Sequence, residues 1–289
     1  MPAKRGFRHD TIAVLYDFDG TLTPQPMQEY TVLPQLGITG QEFWADVQRE
    51  AQRTSGDAVL IYMRLLLQRT KEQQRHLSRG DLRALGRRIL YFPGVSGWFG
   101  RVNAYVRRRS RGLVTVKNYV VSAGQKEILE GITIRRHFAR IFASEYFFDQ
   151  QGVATFPNVL INDTVKTQYI FRINKGREDI RQSINEPMPE DERPIPFRNM
   201  IYVGDGMTDV PGMTVTKKNG GHAIAVYKTG SKGSRRTCRD LLKAGRIDFY
   251  APADFRPGQD LEGGVRLVLD MMIARTLYER ELFGRGLLA

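Results

Sequence analysis

Three segments far apart in the chain share one design, a β-branched or aromatic run that breaks off in a small, polar, glycine-bearing turn. They are TIAVLYDFDGT at 11–21, VKNYVVSAG at 116–124 and FRNMIYVGDGMTD at 197–209. Each reads as a buried strand ending in a tight turn. The texture between them is largely helical, and strands alternating with helices imply a mostly parallel α/β sheet. In such a sheet the carboxyl ends of the strands lie along one edge, where ligands bind. The three turns are therefore expected to converge, bringing Asp17, Asp19, Ser122, Asp205 and Asp209 into one pocket.

The intervening segments give the organisation. After Pro24 and Pro26 the pattern is helical for about seventy residues. Thr39 and Glu42 have capping-box spacing ahead of Phe43, Trp44 and Val47, and Ser78 and Asp81 repeat it ahead of Leu82, Leu85 and Ile89. Val59, Tyr62, Met63, Leu66 and Leu67 share one helical face, and YFPGV at 91–95 punctuates the end of this region. Residues 97–109 read as a helix. VKNYVVSAG leads to a short helix, then IFASEYFFD and an irregular stretch to about Asn162. A helix is expected over Lys166–Ile184, followed by an acidic, proline-rich surface loop, INEPMPEDERPIP. HAIAVYK and IDFYAP are further strands, and a long amphipathic helix runs from about Leu261 to Leu282. The expected division is a discontinuous α/β core, 1–24 with 93–289, and a helical insertion at 25–92.

Four aspartates crowded together repel one another unless a cation sits among them. All-oxygen ligation suits Mg²⁺, which takes a few carboxylates, waters and a substrate phosphate. Asp17 and Asp19 are two apart, so on a continuing strand they face the same side, one to attack and the other to manage protons. Ser122 precedes an expected helix start near Gly124, where free backbone N–H groups favour a phosphate. A lysine would complete the neutralisation of a transferring phosphoryl group.

DFDGT resembles motif I of the haloacid dehalogenase superfamily, VVSAG its motif II and GDGMTD its motif IV. The resemblance implies a Rossmann-like parallel sheet flanked by helices, the haloacid dehalogenase fold, with an inserted α-helical cap domain. It implies Asp17 as nucleophile and Asp19 as general acid/base that also offers its carbonyl to Mg²⁺. Ser122 with Ala123 and Gly124 would bind phosphate, and Asp205 and Asp209 would complete a metal site with Asp17 and Asp19. The motif III lysine, placed at the start of a helix before motif IV, is matched by Lys166, with Lys175 as the alternative. The second motif I aspartate favours a phosphatase over a dehalogenase, and Phe18 stands where transport ATPases carry lysine. The insertion after motif I is similar in position to the cap of phosphoserine-phosphatase-like members. The expected activity is Mg²⁺-dependent hydrolysis of a small phosphorylated metabolite through an aspartyl-phosphate. The alternatives are phosphotransfer from the same intermediate, or nucleic-acid binding or action on nucleic-acid ends through the basic cap. The motifs carry no information on the leaving group: phosphoserine, sugar phosphates, nucleotides and polyol phosphates all fit, and so does any oligomeric state.

Composition bounds the rest. A single cysteine, Cys238, excludes a disulfide-stapled fold and a thiolate zinc module. His9, His76, His137 and His222 show no metal-ligand spacing. No apolar run reaches the roughly 18 residues that span a bilayer. The basic residues Lys4, Arg5 and Arg8 precede an apolar stretch too short for a secretory signal, so a cytoplasmic protein is expected. The chain has 44 Lys+Arg against 31 Asp+Glu, a formal charge of +13. Residues 64–111 hold thirteen of the basic residues and only two acids, Glu72 and Asp81, so this segment carries +11 of that charge. Beside a phosphate site such a wall would draw in anions; turned outward it is a solvated face. RRRSRG at 107–112 reads as a helix end, where arginines favour the C-terminal dipole.

Overall fold

The computed structural model describes residues 6–287, so Lys4 and Arg5 lie outside the described residues. Seven strands form one sheet: β1 (Thr11–Tyr16), β2 (Thr115–Gln125), β3 (Phe138–Phe148), β4 (Ala154–Val159), β5 (Met200–Gly204), β6 (His222–Tyr227) and β7 (Phe249–Pro252). Their order is β4-β3-β2-β1-β5-β6-β7. Every neighbouring pair is parallel except the antiparallel β3–β4 pair at one edge. The chain leaves β1 for β2 on one side and later returns to β5 on the other. Crossovers diverging from one strand leave a crevice at its carboxyl end, and the DFDGT turn occupies that place.

β1 is buried on both faces, as a central parallel strand should be. Ile12, Val14 and Tyr16 join one apolar cluster, and Ala13 and Leu15 join the other. Five helices follow β1: α1 (Met27–Tyr30), α2 (Val32–Leu36), α3 (Gly40–Thr54), α4 (Ala58–Glu72) and α5 (Arg79–Leu85). Their buried residues, Phe43, Ile61, Leu66 and Leu82 among them, belong to the cluster that holds Ile12 and Val14. α6 (Val95–Arg109) leads into β2, and α7 (Lys126–Leu129) follows it. α8 (Val165–Lys175), α9 (Val210–Lys218) and α10 (Lys232–Lys243) cover the other face through Ile170, Met213 and Leu241. α11 (Asp260–Gly284) packs Leu269 and Met272 onto the first face, where α6 sets Trp98 and Phe99.

Local signals act as the residue types require. Thr39 and Glu42 form a reciprocal capping box at α3, and the Ser78 hydroxyl accepts from Asp81 N–H at α5. The 107–109 arginines sit in the last turn of α6, and Gly112 just beyond it adopts a left-handed conformation. Two expectations need correction. The stretch taken as irregular contains β4, because Asp149 accepts from Gln151 and Val153 N–H and Gly152 turns the chain back on β3. The helix expected over Lys166–Ile184 stops at Lys175, where Gly176 takes φ +63 and its N–H caps Arg172 and Ile173 carbonyls. The buried Arg172 guanidinium then donates to the carbonyls of Arg177, Asp179 and Gln182, holding the chain in a loop.

The helices after β1 meet the α7 segment by close backbone contact. A Cβ at Gly131, just after α7, would lie 1.7 Å from the Arg83 carbonyl oxygen of α5, and one at Gly86 would lie 2.2 Å from the Ile128 carbonyl. Neither backbone can yield as a flexible side chain could. Gly131→Ala is expected to lower unfolding stability by about 1–3 kcal/mol. Gly100→Ala, inside α6 with open space around it, should raise stability by roughly 0.5–1 kcal/mol. Urea titration of both variants measures the contrast; equal effects would show that the α5–α7 approach is not tight.

Candidate active site

The DFDGT turn is set by its neighbours on β5. Asp17 N–H donates to the Val203 carbonyl at 2.9 Å, extending the ladder one residue beyond β1. The chain then coils tightly, with Leu22 N–H on the Phe18 carbonyl at 2.8 Å and Gly20 N–H on the Thr23 carbonyl at 2.9 Å. Gly20 has φ +81, and a Cβ there would lie 2.3 Å from Asp205 Oδ2. Conformation and space both demand glycine. The Asp19 carboxylate accepts from Met27 N–H at 2.9 Å, at the start of α1.

Asp205 and Asp209 follow β5 in a turn that is equally tight. Asp209 Oδ2 accepts from Asp205 N–H at 3.1 Å, and a Cβ at Gly204 would lie 2.3 Å from that same oxygen. Asp209 Oδ1 takes a hydrogen bond from Tyr202 OH at 2.8 Å and one from Lys166 Nζ at 2.7 Å. Lys166 also lies 3.0 Å from Asp17 Oδ1. This lysine is 1 % exposed, and Asp209 is fully buried.

Lys166 thus reaches the aspartates from the first turn of α8. Lys175, at the far end of that helix, donates to the Ile184 and Glu186 carbonyls and takes no part. Ser122 is buried at the end of β2, its hydroxyl accepting from Gly124 N–H at 3.0 Å. The Gly124 N–H expected to be free is therefore turned back on Ser122, and the helix begins two residues later, at Lys126. The Ala123 carbonyl accepts from Tyr62 OH at 2.7 Å.

Charge dominates the centre. Burial and the neighbouring Asp209 push the Asp17 carboxyl up to about 7 against the pull of Lys166. Burial, then Asp17, holds Asp19 well above the carboxylate range; burial, Asp209 and Asp17 do the same to Asp205. Burial opposes the Lys166 charge, but Asp17 and Asp209 outweigh it and raise its pKa. One lysine cannot neutralise four carboxyls, two of them buried and two half-buried. Among the described residues Asp17, Asp205 and Asp209 each offer a carboxylate oxygen within 4.8 Å of the others. That hard, all-oxygen donor set fits a divalent cation such as Mg²⁺. The Asp19 carboxylate lies outside this trio.

Other candidate residues stand apart. None of the four histidines belongs to a metal-ligand cluster among the described residues. Cys238 is buried against the Val226 carbonyl, and burial, with Asp205 adding, pushes its thiol up to about 12, so it is a passive thiol. Arg83, Arg87 and Arg88 are exposed on α5 and the turn after it. Among the described residues no arginine or lysine lines the cavity beside Asp19. Spacing alone did not single out Tyr202. Its place two residues before Gly204 puts it on the β5 face toward α8, a signal visible once Lys166 is placed on that helix.

No protein-family model matches the chain. An uncharacterized protein of Borreliella burgdorferi is 26 % identical over 278 residues, which cover 88 % of this chain and 95 % of its own. A HAD family hydrolase from Salmonella enterica serovar Typhi superposes with a TM-score of 0.56 at 16 % identity, covering 86 % of this chain and 69 % of its own. A phosphoserine phosphatase solved as a phospho-aspartyl intermediate analogue gives 0.54 at 17 % identity, covering 89 % and 99 %.

Replacing Lys166 by Met leaves its carboxylate neighbours without their internal cation. With metal chelated, the variant should lose about 3 kcal/mol at pH 8 and much less at pH 5. The Asp17 pKa, raised to about 7, means the penalty is complete only above that value and is relieved as this carboxyl protonates. Urea unfolding in EDTA at both pH values measures this, and a pH-independent loss would assign Lys166 to packing alone. The seven-stranded sheet, its order and the likeness to these structures make this the Rossmann-like fold of the haloacid dehalogenase type.

Proposed function

We propose that the chain is a phosphomonoester hydrolase that works through an aspartyl-phosphate on Asp17. The observation that carries this reading is the buried Lys166, which bridges Asp17 and Asp209 at the carboxyl end of the sheet. Such a lysine holds Asp17 in place and supplies positive charge where a phosphoryl group's oxygens would gather. The Asp17 carboxylate attacks phosphorus, and the ester P–O bond breaks. Asp19, whose carboxyl is held well above its ordinary range by burial, protonates the departing oxygen. The Asp19 carboxylate then takes a proton from water, which attacks phosphorus and frees phosphate and Asp17. Ser122, at the end of β2, holds the phosphoryl oxygens. A divalent cation held by Asp17, Asp205 and the Asp19 carbonyl, with Asp209 supporting, would neutralise charge on the transferring group. The phosphoserine phosphatase and hydrolase names of the structural neighbours support the same reaction class.

Residues 25–92 act in this reading as a cap over the crevice. Tyr62 reaches the Ala123 carbonyl, and Asp57, which caps α4 through one carboxylate oxygen, accepts from Asn162 Nδ2 through the other at 2.8 Å. Asn162 in turn accepts Lys166 N–H on its carbonyl. The cap is thereby tied to both sides of the site.

Phosphate release from acetyl phosphate with Mg²⁺ tests the nucleophile. Asp17→Asn should lower kcat at least about a thousandfold with the fold intact by circular dichroism; wild-type rates would end the reading. Asp19→Asn separates the acid role. Its loss should be about tenfold or more larger for an alkyl phosphate than for 4-nitrophenyl phosphate, whose leaving group needs little protonation. Equal losses would remove Asp19 as the acid.

A further inference from the structure

A cavity of about 360 Å³ opens beside Asp19, the group that meets the leaving oxygen in the proposed reaction. Its walls come from the helical insertion, Trp44 and Val47 on α3 with Val59 and Tyr62 on α4, and its floor is the Ala123–Gly124 backbone. Asp19 is the one charged residue in the lining, and Gln28 and Gln48 are the amides there. From this lining we infer that the leaving group is an uncharged alcohol with an apolar, ring-sized body, so the substrate class is a phosphomonoester of an aryl or arylalkyl alcohol. The inference rests on the phosphohydrolase reading of the preceding section.

Both aromatic walls have their polar tips committed elsewhere. Trp44 Nε1 donates to Glu29 Oε1 at 2.9 Å, and Tyr62 OH donates to the Ala123 carbonyl. The two rings stand edge to face, with centroids 5.7 Å apart. Held this way they present carbon surface and lose little freedom when a ring packs against them. Two basic residues of α4 are engaged elsewhere, Arg64 with Glu50 and Arg69 with Asp46. Lys126, close in sequence to the floor, is paired with Glu145. An amino-acid carboxylate or a second phosphate in this cavity would be desolvated with no cation to meet it, which is costly. Gln28 Oε1 is buried with no hydrogen-bond partner among the described residues. It offers one acceptor to a hydroxyl on the ring, and that is a polar demand without charge. The volume suits one substituted ring.

The test compares kcat/KM for benzyl phosphate, O-phosphoserine and acetyl phosphate with Mg²⁺. Benzyl phosphate should exceed O-phosphoserine by about a hundredfold. Val59→Arg, placing a cation in the wall, should cut the benzyl phosphate value about tenfold and move the ratio toward O-phosphoserine. Thermal melting of the variant shows that it is folded, and Trp44→Ala provides a second wall substitution with the same expected direction. Equal values for the two esters, or a ratio that neither folded variant moves, would overturn the inference. Acetyl phosphate has almost no leaving group to recognise, so its Asp17-dependent hydrolysis reports on the chemistry alone. Turnover of acetyl phosphate without preference for benzyl phosphate sinks the substrate class only. No turnover of any of the three sinks both readings.

Discussion

Among the described residues the Lys166 ammonium is the positive group that meets the clustered carboxylates, and the architecture around it follows from that. It lies 2.7 Å from Asp209 and 3.0 Å from Asp17, with almost no exposure to water. Taking such charges out of solvent is expensive and is tolerated only where hydrogen bonds satisfy each group. Tyr202 and the Asp205 N–H supply those bonds to Asp209, and Gly20 and Gly204 leave the space for the carboxylates to approach the turns. The sheet order matters for the same reason. With β2 and β5 on opposite sides of β1, the three turns meet at one point, and α8 delivers the lysine from one face of the sheet.

Much of this was legible in the sequence because the responsible signals are local. Capping at Thr39 and Ser78, the unbroken apolar run of β1 ahead of Asp17, and the glycine turns at Gly20 and Gly204 each depend on residues a few positions apart. The convergence of Asp17, Asp205 and Asp209 needed one step more, the rule that parallel strands end on one edge. The misses have the opposite character. β4 is an antiparallel edge strand whose pairing depends on the Asp149–Gly152 turn, and its exposed Phe156 blurs the alternation. The end of α8 is set by the left-handed Gly176 and by Arg172 reaching carbonyls up to ten residues ahead, which no helical periodicity reveals.

The concentrated positive charge of residues 64–111 also changes meaning in three dimensions. Several of its arginines meet acids from elsewhere in the chain: Arg64 with Glu50, Arg69 with Asp46, Arg101 with Glu262 and Arg109 with Asp270. Arg83, Arg87 and Arg88 face solvent on α5 and the following turn. Exposed charges act at a distance only over about a Debye length, roughly 8–10 Å in ordinary salt. A field from this face can therefore influence how anions approach the molecule, but it does not form the wall against which a leaving group rests.

The site divides its labour by environment. Where a phosphoryl group would sit, the sheet edge supplies carboxylates, a lysine and a serine, all fixed by short hydrogen bonds to the backbone or to one another. On the far side of Asp19, the inserted helices supply aromatic and branched carbon, with their few polar tips already satisfied. A phosphomonoester is itself divided in this way, ionic at one end and defined by its alcohol at the other. In the proposed reaction, reactivity and selectivity are carried by different parts of the chain. The constraints on the two differ accordingly: a substitution at the sheet edge disturbs a cluster of carboxylates that holds one lysine, whereas one on α3 or α4 changes the shape and polarity of a surface. Asp19 belongs to both, since its carboxylate is anchored at the start of α1 and faces the cavity that α3 and α4 enclose. In the proposed reaction that position would couple proton delivery to how well the alcohol fills the cavity.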